Sequence, residues 1–465
     1  MIRRNEKFIV NGEIPIKMII SCIKEYQDNE VSRLNNLWNY YCGEQDILYR
    51  YKKDYLPNNK LVCNNASYIT DMITGYMGGV PATYNGKCQD RLIELNKKND
   101  IVSHDTELLR AISIYGKCNE LLYMSSDEKP YPKIAVIKPE NSFVVYDTSV
   151  EENPLFGIRF YETYDMENQK DGYEVIVYTK EDVITYRIDG FTSTNYEEVE
   201  RVEHYFGIVP LIEYKNNINS KGDFEAVITL IDAYNLLQSD RLNDKEQLVD
   251  SILAIYGASL GDSDEEVGRT AQMIREHKIL ELPEKGKAEY LYKNLTEADV
   301  EILKESIRDD IYTLSLVPCL SDKNFSIQAS GVSMKYKLLG LEQKAKTKEA
   351  YFRKGLYRRI KGFENILSKK ENVDFSDIEI IMNRSLPSNE LEIANIVTML
   401  RSFVSDDTLL GQIPFVNDIE KEKTLVKQQK TEAQELQNSI FEDVSLNKLN
   451  VDNKLKGLND DGAEE

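Results

Sequence analysis

Apolar positions along this chain recur first at helical spacing, then at every second residue, then at helical spacing again. Over residues 1–80, helical patterns surround one short polar loop, YLPNNKLVCNN, where Pro57 and the asparagines mark a turn. Residues 66–76 read as a helix, and Gly78, Gly79 and Pro81 in MGGVPATY stop it. From Ile134 the period changes to two: IAVIKP, FVVYD, FGIRFYETY, YEVIVYT and VITYRID are short strands rich in Val, Ile and Tyr. Their spacing predicts an antiparallel meander, so the fold class is α+β.

A long helical pattern over residues 223–256 follows. Phe224, Val227, Ile228 and Ile231 at one end and Leu248, Ile252, Leu253 and Tyr256 at the other flank a polar middle, QSDRLNDKEQ. At about 1.5 Å per residue such a helix spans about 50 Å. That exceeds what one small core covers, so packing on copies of itself or crossing between domains is expected. Residues 257–294 are irregular, with acidic GDSDEEVG and a strand pair expected around HKILELPEKGKAEYLY. A second helix is predicted over 296–316, with Thr296 as N-cap, Asp299 in its first turn and Val317-Pro318 as its stop. After the polar loop SDKNFSIQAS a further helix starts near Gly331. Its Met334, Leu338, Leu341, Ala345, Phe352, Leu356, Ile360 and Phe363 fall within an apolar stripe of about 100°, and basic residues take the remaining arc. A strand in IEIIMNRSL and a helix over 389–403 come next, then a polar tail whose end, LNDDGAEE, is expected to be disordered.

Composition sharpens one point. The 465-residue chain carries a formal net charge of -21, which argues against a generic nucleic-acid binder. Residues 332–362 run against that balance, with ten basic residues and only Glu342 and Glu349 opposing them. On composition alone two readings stand: a local nucleic-acid contact, or a cationic face that pairs with acidic neighbouring subunits. The six cysteines contain no C-x-x-C pair and imply neither zinc nor a disulfide framework; buried free thiols are expected. No apolar run reaches signal-peptide or membrane-spanning length, so a cytosolic chain is expected. Three scattered histidines and the absence of a phosphate loop argue against metal, cofactor or nucleotide chemistry. Gly257-Ala258-Ser259-Leu260-Gly261 matches G-x-S-x-G, leaving a serine hydrolase using Ser259 as one alternative and a monomeric helical interaction protein as another. A nucleophile elbow needs a strand before it and a helix after it in a parallel sheet, whereas a long helix is predicted to precede this one.

NYYCGEQDILYR followed by LPNNKLVCNNASYITDMITGYMGGVPATY resembles the N-terminal signature of phage portal proteins of the SPP1 type. IKPENSFVVYD, FGIVPLIEYKNN with LIDAYNLLQSDRLND, FSIQASGVSMKYKLLGLEQKAKTKE and NRSLPSNELEIANIV are similar to the same family in the same order. The resemblance covers about residues 30–415. It implies a portal fold with an α/β wing (1–222), two long stem helices (223–257 and 296–317) and a small α/β clip (258–295). A tunnel loop (318–331), the basic helix with a wing return strand (332–386), a helical crown (387–415) and a polar tail (416–465) complete it. It also implies a ring of about twelve subunits at a capsid vertex. Double-stranded DNA would pass through that ring without sequence specificity. The terminase large subunit, a head-completion or adaptor protein, scaffolding protein and the major capsid protein would be partners in the virion, with assembly in the bacterial host cytoplasm. The candidate DNA-facing residues are then Asn324, Phe325, Ser326, Ile327 and Gln328 in the tunnel loop, with Lys335 and Lys337. Asp262, Ser263, Asp264, Glu265 and Glu266 are the candidate motor- or adaptor-binding residues of the clip. Neither catalysis nor a cofactor is implied.

Overall fold

The structure, a computed structural model, describes residues 1–9, 12–53, 56–191, 195–249, 252–256, 261, 263–277, 286–291, 297–320, 336–369, 371–385, 390–411, 413, 416 and 419–434. It comprises two compact units, Met1–Ser385 and Leu386–Glu465.

The helices of the first unit are α1 (Ile16–Tyr26), α2 (Ser32–Cys42), α3 (Asn65–Gly78), α4 (Gln89–Lys98), α5 (Ile101–Tyr115), α6 (Ile228–Val249), α7 (Asp264–His277), α8 (Glu297–Ser315) and α9 (Leu339–Leu367). Its strands are β1 (Ile2–Arg3), β2 (Thr83–Asn85), β3 (Lys117–Met124), β4 (Pro132–Ile137), β5 (Ser142–Tyr146), β6 (Pro154–Tyr164), β7 (Lys170–Tyr178), β8 (Asp182–Ile188), β9 (Tyr196–Glu203), β10 (Leu211–Lys215), β11 (Ile252–Tyr256), β12 (Lys287–Leu291) and β13 (Glu379–Ile381). The second unit contains α10 (Glu390–Leu400), α11 (Asp406–Leu410) and a helical run over 419–434.

The alternating stretch predicted as one meander is divided between two sheets. Strands β5 to β9 do form an antiparallel meander, with β1 added in parallel to the outer edge of β5. The IAVIKP strand, β4, belongs instead to a three-stranded sheet of order β10-β3-β4. The sequence pattern passed over β3 because its first four residues are all buried, and over β9 because all eight of its residues are exposed. Neither strand alternates, and alternation is the signal a half-buried strand gives.

The helix expected over 223–256 is shorter. A 3-10 turn at Glu225–Val227 leads into α6, and residues 252–256 form β11, paired in antiparallel register with β12 from Ile252↔Leu291 to Tyr256↔Lys287. A short apolar run such as ILAIY is ambiguous by periodicity, and the available strand partner decides it. Of the strand pair expected around residues 277–292, the second half is β12, whose partner among the described residues is β11; residues 278–285 lie outside the described residues. The acidic GDSDEEVG segment is not an irregular loop throughout, since α7 begins at Asp264.

The polar middle of α6 has a partner in the asparagine-rich loop. Asn235, Ser239 and Asn243 stand four residues apart and are buried, at 0%, 0% and 2% exposure. Asn235 Oδ1 accepts the Cys63 N–H (2.8 Å), Ser239 Oγ the Leu61 N–H (2.9 Å) and Asn243 Oδ1 the Asn59 N–H (2.7 Å). Four helical residues advance about 6.0 Å, and alternate residues of an extended chain advance about 6.6 Å. The two repeats therefore stay in step, and the helix offers one acceptor per turn to a segment that has no strand partner among the described residues. Arg50 and Lys52 close the far end on Asp240, at 2.8 and 2.9 Å.

Helix α9 packs directly on β10. Every described member of its predicted apolar stripe is buried, from Leu338 to Phe363. Gly355 permits the approach: a Cβ there would lie 2.3 Å from the Tyr214 ring. Gly116, in the left-handed region at φ +82°, ends α5 where a Cβ would lie 2.1 Å from the Ser220 carbonyl oxygen. Of the six cysteines, all expected to be buried, only Cys22 and Cys118 are.

Removing single acceptors from the α6 ladder should act locally. Ser239→Ala is expected to accelerate hydrogen exchange at the Leu61 amide, and Asn235→Ala at the Cys63 amide, with about 1–3 kcal/mol lost for each orphaned donor. Unchanged protection at those amides would show that the ladder does not hold the loop.

Candidate functional site

The basic helix is where sequence placed the nucleic-acid contact, and the structure sorts its cations. The apolar stripe of α9 skips a beat between Ala345 and Phe352, and Lys348 stands in that gap, while Arg359 lies beside the stripe residue Ile360; the two cations are 1% and 2% exposed. Lys348 Nζ pairs with Asp223 Oδ2 at 3.0 Å and donates to Ser113 Oγ. Arg359 donates through Nε and Nη2 to both oxygens of Glu120, at 3.0 and 2.6 Å, and through Nη2 to Asp105 at 2.8 Å. His104 Nε2 (2.6 Å) and Tyr214 Oη (2.9 Å) complete the shell around Glu120. The expectation that the cationic arc faces outward is thus corrected for these two residues. For Lys348 the signal in the sequence was the gap in the stripe; for Arg359 it was only its place seven residues after Phe352, on the same helix face.

Both carboxylates are held ionised. Burial alone would raise Glu120, but the Arg359 charge and the His104 hydrogen bond outweigh it and bring the group down to about 2. Burial is likewise outweighed at Asp223 by Lys348, Lys344 and the Asn216 hydrogen bond, leaving it at about 2. Lys344 has a further role: its Nζ donates to the carbonyl of Ser315 at the end of α8 (3.0 Å) and to that of Asp223 (2.9 Å). A cation at a helix C-terminus satisfies carbonyls the helix leaves open.

The segment holding the candidate tunnel loop is anchored where it leaves and where it rejoins this body. Helix α8 stops at Leu316, a non-glycine residue at φ 59°, and Val317 is buried. Tyr68 Oη then donates to the Pro318 carbonyl (3.0 Å) and accepts the Leu320 N–H (3.1 Å), while its ring meets Tyr312 edge-on. On return, Lys337 lies in the helical turn ahead of α9 and lines a surface cleft with Arg308, Tyr312, Leu316 and Cys319. Asn324, Phe325, Ser326, Ile327, Gln328 and Lys335 lie outside the described residues, as do Met334 and Thr296.

Of the candidate clip residues, Ser263 precedes α7 and Asp264, Glu265 and Glu266 form its first turn, all four exposed; Asp262 is outside the described residues. Ser263 Oγ accepts the Glu266 N–H at 3.4 Å and its carbonyl the Val267 N–H at 3.0 Å, so the segment starts a helix. Acidic residues there oppose the positive end of the helix dipole. Ser259 is also outside the described residues. A strand does precede it and a helix does follow, contrary to the expectation of a long helix. That strand, however, belongs to an antiparallel pair rather than the parallel sheet of a nucleophile elbow.

The family model described as phage portal protein, SPP1 Gp6-like, matches residues 20–436. The chain belongs to this family. It is 24% identical over 428 residues to a portal protein of Clostridium phage phiCD119, covering 85% of this chain and 92% of that one. It is 24% identical over 435 residues to the portal protein of Bacillus phage SPP1, covering 90% of this chain and 84% of that one. Among solved structures, a chain from the neck of an empty GTA particle computed with C6 symmetry gives a TM-score of 0.43 at 12% identity. That match covers 74% of this chain and 88% of the other. Portal proteins are virion components, and among the described residues no helix is long and apolar enough to cross a membrane.

The buried pairs of this portal chain predict its acid response. Glu120 and Asp223 titrate at about 2 in the folded state, below the value of about 4 of an unfolded carboxylate. Their contribution is complete above about pH 5 and is lost as pH falls toward 2. Denaturant melts should show a plateau that collapses along that limb. Glu120→Gln should cost about 3–5 kcal/mol at pH 7 and flatten part of the acid limb, because it leaves Arg359 short of its main partner.

Proposed function

We propose that copies of this chain assemble into a ring of about twelve subunits at one vertex of a phage capsid. Double-stranded DNA enters and leaves through the central hole. The observation that carries this reading is the portal family match over residues 20–436. The terminase large subunit drives the DNA inward, a head-completion or adaptor protein later seals the exit, and scaffolding and major capsid proteins surround the ring during assembly in the host cytoplasm. The role is structural, and no cofactor enters it.

In this reading residues 1–222 with β13 form the wing, α6 and α8 the stem, and the segment from 258 to 295 the clip. The β11–β12 pairing supports a clip that begins earlier, at about residue 252. Residues 318–331 form the tunnel loop, 387–415 the crown and 416–465 the tail. The loop residues Asn324 to Gln328, with Phe325 at the tip, touch the duplex, and Lys335 and Lys337 add a limited cationic belt beside it. Anchorage of Leu320 by Tyr68 and of α9 by its buried ion pairs supports a loop held at both ends. Asp262 to Glu266 meet the motor or the adaptor.

The charge balance fits a conduit. DNA carries about one charge per 1.7 Å, so a fully cationic lining would hold it and an acidic one would repel it. One lysine per subunit becomes a belt whose symmetry does not match the duplex. No phosphate register is then favoured by every subunit at once, and sliding stays cheap. A chain at -21 that encloses two cations of its basic helix is suited to that compromise.

Light scattering after size exclusion, with images of the peak, should show a closed ring with a central hole. Protein that remains monomeric with scaffold present would overturn the assignment. Phe325→Ala and a loop shortened over 324–328 should assemble normally but package DNA more slowly; wild-type rates would remove the loop from the DNA path. Charge reversal at Asp264, Glu265 and Glu266 should weaken terminase or adaptor binding, and unchanged binding would place that contact elsewhere.

A further inference from the structure

The six-stranded sheet of the first unit has outer edges of opposite character. One edge is β9, with sequence YEEVERVE: four glutamates, one arginine and every residue exposed. Arg201 is engaged within the sheet, by Glu198 at 2.9 Å and Asp182 at 3.4 Å. Glu197, Glu200 and Glu203 have no ion-pair partner among the described residues. The register shifts at Val199, so that Glu198 and Glu200 oppose neighbouring residues of β8 while Val199 has no opposite number. Three apolar side chains, Tyr196, Val199 and Val202, are exposed beside these charges.

The other edge, five strand spacings or about 24 Å away, is where β1 and β5 meet α9. A cleft of about 580 Å³ opens there, lined by Tyr146 of β5 and by Tyr351, Lys354 and Arg358 of α9. Its other cations are matched locally, Arg3 by Glu152 and Lys215 by Glu213 at 3.4 Å. Lys354 and Arg358, one helical turn apart, make no ion pair among the described residues. Lys354 lies 5.1 Å from the Tyr351 ring centroid, and the exposed Ile218 adds an apolar rim.

We propose that β9 of one copy docks in the Lys354–Arg358 cleft of the next, so that the two edges of one sheet are the two halves of a subunit contact. The proposal rests on the ring reading and adds to it which surfaces meet. An acidic, bulged edge strand is protected against pairing with itself, since β9 against β9 brings like charges together. The same edge accepts a cationic aromatic surface. Because the two surfaces differ and lie on opposite edges, each copy offers both, and the contact propagates head to tail until it closes. The sorting of α9 supports this choice: Lys348 and Arg359 are occupied inside the chain, while Lys354 and Arg358 face outward.

Charge exchange tests it. Wild-type protein, Glu197→Lys/Glu200→Lys, Lys354→Glu/Arg358→Glu and the four-fold combination would be compared by native mass spectrometry and sedimentation over a concentration series, with melting temperatures as a fold control. Each double reversal should raise the concentration needed for ring formation about tenfold or more, and the combination should recover most of it. Rings that form at wild-type concentration in either double reversal overturn the docking while leaving the ring reading intact. A combination no better than its parents shows that the two surfaces do not meet each other, and also overturns it. Wild-type protein that never exceeds a monomer overturns the ring reading and this contact together.

Discussion

Glu120 is the carboxylate on which the first unit closes. It stands on β3 and receives Arg359 from α9, His104 from α5 and Tyr214 from β10, so four elements share one buried charge. A buried carboxylate is costly unless it is paired and hydrogen-bonded on every side, and a buried guanidinium is costly in the same way. Neither partner can be accommodated alone. Helix α9 can therefore sit on the three-stranded sheet in one register, the one that brings Arg359 to Glu120 and Lys348 to Asp223 together. Gly355 sets the depth of that contact and the two ion pairs set its phase along the helix axis.

That register has consequences at both ends of α9. At its start, Lys344 reaches the Ser315 carbonyl at the end of α8, so the helix that leads into the candidate tunnel loop and the helix that leads out of it are tied together. The intervening residues join this body at Leu320, whose N–H donates to Tyr68 Oη, on one side and at the buried Leu338 on the other. Toward its other end, Lys354 and Arg358 are turned away from the core because Lys348, Phe352 and Arg359 occupy the inward face. The charge excess that the composition shows as a single block is thus two populations with different work: one fixes the fold, the other is left for a partner or for DNA.

A good part of this was legible beforehand. The α+β class, the helices near residues 66–76 and 296–316, the strands β5 to β8 and the buried stripe of α9 all follow from periodicity, which survives wherever an element has one wet and one dry face. Reading failed where that condition fails. Strand β9 is wet on both faces, the first half of β3 is dry on both, and β11 is too short for its period to exclude a helix. The ladder between α6 and residues 59–63 was visible only as two unrelated oddities, a polar patch in a helix and a run of asparagines.

The sequence by itself determined the family, the element types with a single buried face, and the presence of a cationic helix in an acidic chain, because these depend on local order and on composition. Only the tertiary structure decided which cations are enclosed, which loop fills the polar face of α6, and that the acidic and cationic edges lie at opposite sides of one sheet. Those facts join residues more than a hundred positions apart. Their free energy comes from desolvated charges and buried amides, whose partners no local pattern names.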